Sequence, residues 1–179
     1  MKLHAAPRTR AVRPRWILEE LEVPYELVKT DGPNPLHPLG EVPVLVDGDV
    51  TLFESPAMCL YLADRFPEKK LAPAIDSPDR GPYLQWLLFA ETHLESLVLD
   101  VYRGAQVDHA RLKLVLDVIE ARVRARSFVV GDAFTAADVV LASILHLANT
   151  LKLLEDRPGL LPYLRRQVER PAIRRAVTY

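Results

Sequence analysis

Apolar and polar positions along this chain change period several times, and each change marks an element. Lys2 to Ala5 reads as a short strand. From Thr9 to Leu21 the period turns helical, with Val12, Trp16, Ile17 and Leu21 along one face, and Val23-Pro24 stops that helix. Tyr25 to Val28 reads as the next strand, followed by a loop over Thr30 to Leu39. Val42, Val44 and Val46 then alternate at period two, Asp47-Gly48 forms a tight turn, and Thr51 and Phe53 resume the alternation. Ser55 is expected as an N-cap, Pro56 falls where a helix tolerates a missing N–H, and Ala57 to Arg65 continues as helix.

Beyond Arg65 the strand signal disappears. Pro67 to Pro82 is proline-rich without a clean period and reads as a linker. Leu84, Leu87, Leu88, Leu94 and Val98 form one helical stripe; Leu112, Val115, Leu116, Ile119 and Val123 form another, and Gly104 separates them into a helical hairpin. In Phe128 to Asp138, Thr135 is a second N-cap candidate, with Asp138 at N3 reaching back to it. Phe134 and Val139 supply the hydrophobic staple of this capping box, whose loss is expected to cost ~1 kcal/mol. The helix over Val139 to Leu151 is apolar on most sides and is predicted to be central to its core. Leu161 to Ala176 gives a helix, a proline restart and another short helix. Two domains are expected, residues 1–73 with strands and helices and residues 74–179 entirely helical.

Composition narrows the function classes. Of 179 residues, 49% are hydrophobic, enough for a real core, and a net charge of −1 argues against non-specific nucleic-acid binding. Cys59 is the only cysteine, so neither an intramolecular disulfide nor a CxxC redox pair is available; it reads as a small buried filler. Met1 leads into an Arg-rich segment without a secretory signal, and no apolar run is long enough to span a bilayer. A cytoplasmic protein that binds neither membrane nor nucleic acid is expected. His93, His109 and His146 lack metal-ligand spacing, so no metal cofactor is expected. His93 and Tyr102 are candidates for lining a substrate pocket.

The chemistry concentrates between Val42 and Ser55. A proline is accommodated at the start of a strand, and a cis Val42–Pro43 bond would turn the Val42 N–H and C=O outward for an extended peptide. The N-terminus of the helix at Ser55 leaves N–H groups for a ligand carboxylate, and Glu54 just ahead of it suits an ammonium group. Arg8, Arg10, Arg13 and Arg15 crowd the start of the first helix, either as an anion-attracting rim or as a solvated face.

The runs H-P-L-G-E-V-P-V-L and F-E-S-P-A, together with G-D-A-F-T-A-A-D and the closing E-R-P-A-I-R-R-A, resemble the glutathione S-transferase superfamily over essentially the whole chain. That resemblance implies a thioredoxin-like α/β domain, its middle helix shortened or irregular, followed by an all-helical domain. It also implies a homodimer with glutathione as co-substrate. Val42 and Pro43 would hold the cysteinyl backbone, Glu54 and Ser55 the γ-glutamyl end, and His37 stands where an Asn often precedes Pro-x-G. Members of the family favour the glutathione thiolate with a Tyr, Ser, Cys or, in some bacterial groups, Thr between the first strand and helix. Here Thr9 is the hydroxyl in reach, with Arg10 adding positive potential; Thr9 also reads as a helix cap. Glu41 stands where relatives often carry Gln or Lys for the glycine end, and its carboxylate would repel the ligand's own. The implied function is conjugation of glutathione to a small electrophile. The alternatives are a glutathione-dependent disulfide reductase or peroxidase, and a non-catalytic protein-interaction module.

Overall fold

The computed structural model describes residues 1–178. The chain folds as two compact units, one of residues 1–69 with the C-terminal segment from Pro171, the other of residues 70–170. The return of the last segment to the first unit had no signal in the local pattern.

The first unit holds β1 (Lys2–Ala5), α1 (Val12–Leu21), β2 (Glu26–Lys29), β3 (Val44–Asp47), β4 (Val50–Leu52) and α2 (Ser55–Arg65). The sheet order is β2-β1-β3-β4, with β1 parallel to β2 and antiparallel to β3. Leu3 faces Leu27 on one side and Leu45 on the other, and is fully buried with Ala5, Val44 and Leu45. Trp16, Ile17, Leu18 and Leu21 of α1 and Met58, Cys59 and Leu62 of α2 complete this core. Cys59 is buried, as its reading as a filler required. No helix joins β2 to β3, so the thioredoxin-like unit does without its middle helix.

Several boundaries differ from the sequence reading by one to three residues, and two have a plain cause. α1 begins at Val12, because Pro7 to Ala11 forms turns, with Val12 N–H bonded to the Thr9 carbonyl and Arg13 N–H to that of Arg10. β3 begins at Val44, since Pro43 has no N–H for the ladder, whose pairing with β1 ends at His4–Val44.

A short helix, α8 (Pro171–Ala176), packs on α1 with Ala172 and Ala176 buried. Arg175 donates from Nε to Glu19 Oε2 (2.7 Å) and from Nη2 to the Glu19 carbonyl (3.0 Å). Tyr25 donates to Glu19 Oε1 at 2.7 Å and accepts from Arg15 Nε at 3.1 Å. Burial by itself would raise the Glu19 carboxyl, but the hydrogen bonds from Tyr25 and Arg175 and the two guanidinium charges outweigh it and hold the group below its ordinary value. The clamp therefore contributes stability that is present above the ordinary carboxylate range and lost as pH falls through the lowered value. Glu19→Gln is expected to lower the denaturant midpoint at pH 7, and the gap from wild type is expected to close on acidification below the ordinary carboxylate range. A gap unchanged at low pH would remove Glu19 ionisation from the account.

The second unit is helical. α3 (Arg80–Phe89) runs through a π-helical turn (Ala90–Glu95) into α4 (Ser96–Arg103), and Gly104 at φ 68° ends the run. α5 (His109–Val123), α6 (Ala136–Thr150) and α7 (Leu161–Val168) follow. α6 is the central element, with Ala136 through Ala142, Ile144, Leu145 and Ala148 buried. Its start carries the expected capping box. The Asp138 carboxylate accepts from Thr135 N–H (2.9 Å), Thr135 Oγ1 (3.2 Å), Val129 N–H (2.8 Å) and the Tyr163 hydroxyl (2.8 Å). One side chain thus ties the cap, the preceding loop and α7 together. Arg157 pairs with Asp117 and Glu120 of α5, and Glu120 Oε1 also accepts the Gly159 N–H at 2.8 Å.

Candidate functional site

The first unit brings two of the sequence-marked features into contact, the start of α1 and the start of α2. α2 begins at Ser55, with Glu54 as its N-cap. This corrects the expectation of Ser55 as cap by one residue: Ser55 occupies the first helical position and Pro56 the second. The Ser55 hydroxyl consequently makes no capping bond to its own helix. It accepts instead from Arg13 Nη1 at 3.3 Å, and both side chains are buried, at 3% and 2% exposure.

Arg13 was grouped with three other arginines as a rim or a solvated face, and it is neither. Arg13, Ile17 and Leu21 repeat at a spacing of four and are all buried, so that repeat was the available signal. Arg15 is also buried and bonded to Tyr25. Only Arg8 and Arg10 stay exposed, and they alone fit a rim.

A guanidinium only donates, so Ser55 Oγ must be the acceptor in this pair. Its own proton is then directed elsewhere and polarised by a neighbouring positive charge. Pro56 brings no N–H, and Met58 N–H is taken by the Glu54 carbonyl at 3.0 Å. The amides of Ser55 and Ala57 remain in the first turn for an anion.

Glu54 is exposed and holds φ 69°, ψ 108°, a backbone conformation that side-chain-bearing residues rarely adopt and that costs about 1–3 kcal/mol. Such strain concentrates where a side chain must be aimed, and here it falls on the residue marked for a ligand ammonium.

The Val42–Pro43 peptide bond is cis. Val42 is half-buried and lies outside the strand pairing, while Pro43 is buried. The loop before it closes on itself: Asn34 N–H donates to the Gly40 carbonyl (2.8 Å) and Gly40 N–H to that of His37 (2.9 Å). Gly40 at φ 72° allows this closure, and a Cβ there would stand 3.2 Å from Pro33 Cβ.

His37 lies in a loop but does not face solvent. Its exposure is 9%, its ring packs edge-on against Phe53 at 5.2 Å, and Nδ1 accepts the Leu39 N–H at 3.0 Å. That bond makes Nδ1 an acceptor and places the proton of the neutral ring on Nε2.

Thr9 Oγ1 donates to the Ala6 carbonyl at 2.7 Å and accepts from Ala11 N–H at 3.3 Å. The hydroxyl thus caps the turn that precedes α1, and its proton is already engaged. In the helical unit, His93 lies between the Phe89 ring (4.9 Å) and Arg111 Nη2 (3.4 Å from Nδ1), and Tyr102 is 64% exposed. Among the described residues, no group of three or more His, Cys, Asp and Glu side chains could hold a metal ion, and no helix is long and apolar enough to cross a membrane.

Comparison with known proteins matches residues 1–64 to the glutathione S-transferase N-terminal domain and residues 103–166 to the glutathione S-transferase C-terminal domain. A glutathione S-transferase of Zea mays is 32% identical over 166 residues, which are 77% of this chain and 73% of the maize protein. The chain belongs to the glutathione S-transferase superfamily. A glutathione S-transferase of Arabidopsis thaliana is 32% identical over 159 residues, 76% of this chain, and the match spans 63% of that relative's length. The structure of a sphingomonad glutathione S-transferase complexed with glutathione superposes with a TM-score of 0.87 at 29% identity, covering 99% of this chain and 97% of that one. The superfamily fold, a thioredoxin-like unit followed by a helical one, is thereby established for the chain.

Proposed function

We propose that the protein binds glutathione at the Val42–Pro43 and Glu54–Ser55 corners and joins it through its sulfur to a small electrophile, the thiol proton leaving to water. The observation that carries this reading is the Arg13–Ser55 hydrogen bond, because it converts a helix start into a directed donor for a carboxylate. Ser55 Oγ–H and the Ala57 amide take the γ-glutamyl carboxylate, and Glu54 takes the ammonium. Val42 pairs with the cysteinyl backbone, and His37 supports the loop that carries it. In this reading the thiol faces the start of α1.

The reaction needs the thiolate, since that is the nucleophile. Lowering a thiol by one pKa unit corresponds to about 1.4 kcal/mol. In this reading Thr9 and Arg10 supply it: the Thr9 hydroxyl swings from the Ala6 carbonyl to the sulfur, giving up a bond of about 1 kcal/mol for a charge-assisted one. The thiolate then attacks the electrophilic carbon, the leaving group departs, and the thioether is released. The electrophile is taken to be small, and the protein to act as a homodimer.

Thr9→Ala is expected to lower turnover about tenfold while changing glutathione affinity less than twofold. Steady-state kinetics and calorimetric titration check the two halves, and unchanged turnover would remove Thr9 from the thiolate's partners. The engagement of the Thr9 proton favours a second reading, in which the protein reduces glutathionyl disulfides with a weakly activated thiol. Turnover of hydroxyethyl disulfide with none of aryl halides would select it.

The experiment that tests the whole reading is calorimetric titration with glutathione to millimolar concentration. Saturable binding supports it, and its absence overturns it.

A further inference from the structure

The charges around the peptide site are unevenly placed. Between Lys29 and Arg65 the chain has no lysine and no arginine, but it has Asp31, Glu41, Asp47, Asp49, Glu54 and Asp64. Tyr61 and Arg65 engage Asp47, and Glu54 stands at the ammonium end of the proposed ligand. Glu41 is exposed and immediately precedes Val42.

Pairing geometry decides which part of the ligand meets Glu41. When an extended peptide pairs antiparallel, its next residue lies opposite the preceding residue of the protein. A cysteinyl residue on Val42 therefore sets its C-terminal neighbour against Glu41 and its N-terminal neighbour beyond Pro43, toward the start of α2. The bonds among Asn34, His37 and Gly40 close the loop that leads directly into Glu41. The loop between β2 and β3 carries no lysine or arginine. A glycine carboxylate at this position meets a carboxylate without a cation from this loop.

Resting on the glutathione-site reading above, we propose that the site discriminates against a free C-terminal carboxylate. Glu41 is the residue that sets this specificity. The preferred ligands are γ-glutamyl-cysteinyl peptides whose glycine end is neutral or cationic, such as an ester, an amide or an amine conjugate. Like charges a few ångströms apart at a protein surface repel appreciably and the repulsion is screened by salt, so the preference is largest at low ionic strength.

Calorimetric titration with glutathione and with its glycine monoethyl ester, at about 20 mM and about 500 mM salt, tests this. In wild type the ester is expected to bind about fivefold more tightly at low salt and about equally at high salt. In Glu41→Gln, glutathione is expected to gain that factor and the ester to gain nothing. The proposal is overturned if glutathione binds wild type as tightly as the ester at low salt, or if the ratio survives in Glu41→Gln. If neither peptide saturates the wild-type protein, the glutathione site itself is overturned and this specificity with it.

Discussion

Replacement of Asp138 by Ala is expected to cost about 4 kcal/mol of stability, the largest effect of any single substitution considered for this fold. The carboxylate is fully buried and accepts from Val129 N–H, Thr135 N–H, Thr135 Oγ1 and the Tyr163 hydroxyl. Burial pushes the Asp138 carboxyl up, and the four hydrogen bonds oppose that shift; burial and the adjacent carboxylate push the Tyr163 phenol well above its usual value. Removing the carboxylate relieves its own desolvation but orphans several buried donors, each worth about 1–3 kcal/mol. Against a total of about 5–15 kcal/mol, that is enough to populate an unfolded helical unit. Asp138→Asn should not rescue it. One end of a carboxamide is a donor, and each end of this side chain faces two donors. A urea midpoint at pH 7 that moves by less than the equivalent of about 1 kcal/mol in either variant would refute this account.

Ser55→Ala is expected to weaken glutathione binding at least tenfold, the largest effect anticipated on the ligand. A hydrogen bond to a charged group is worth about 1.5–3 kcal/mol, which is roughly ten- to a hundredfold in affinity. The loss has two parts: the hydroxyl that donates to the carboxylate, and the route by which Arg13 polarises it. Arg13→Met separates them, since it keeps most of the aliphatic volume and removes the guanidinium. If Arg13 acts through Ser55, the double variant binds glutathione no more weakly than Ser55→Ala alone. Additive losses in calorimetry would mean instead that Arg13 meets the ligand directly. Unaltered affinity in Ser55→Ala would take the carboxylate away from this helix start.

Much of this was legible in the linear pattern because the physics there is local. A cap needs a Thr and an acid three residues on, and Thr135 with Asp138 satisfied that condition before any fold was known. A hairpin needs turn residues between alternating runs; the hairpin forms where expected, but its turn is Gly48-Asp49, one residue later than the Asp47-Gly48 of the sequence reading, because Asp47 still pairs with Val50. The resemblance implied a shortened or irregular middle helix, and the proline-rich segment between β2 and β3 forms none. The family followed from motif runs that span both units, and the matches to its two domains agree.

What tertiary structure decided was where side chains go once elements meet. The spacing of Arg13, Ile17 and Leu21 hints at a shared face, but it names no partner for Arg13. Only the packing of α1 against α2 buries Arg13 and gives it Ser55 as a partner 42 residues away. His37 reads as a polar loop residue until the loop closes and lays its ring on Phe53. Thr9 offers its hydroxyl in sequence, yet the turn before α1 engages it with Ala6. The return of α8 to α1 through Arg175 and Glu19 joins residues 156 positions apart, a separation no periodicity can register. Sequence by itself determined most of the elements, the capping box of α6 and the family, because those depend on neighbours within a few residues. The partners of the buried and half-buried polar groups depend on which surfaces are pressed together, so only the folded chain assigned them.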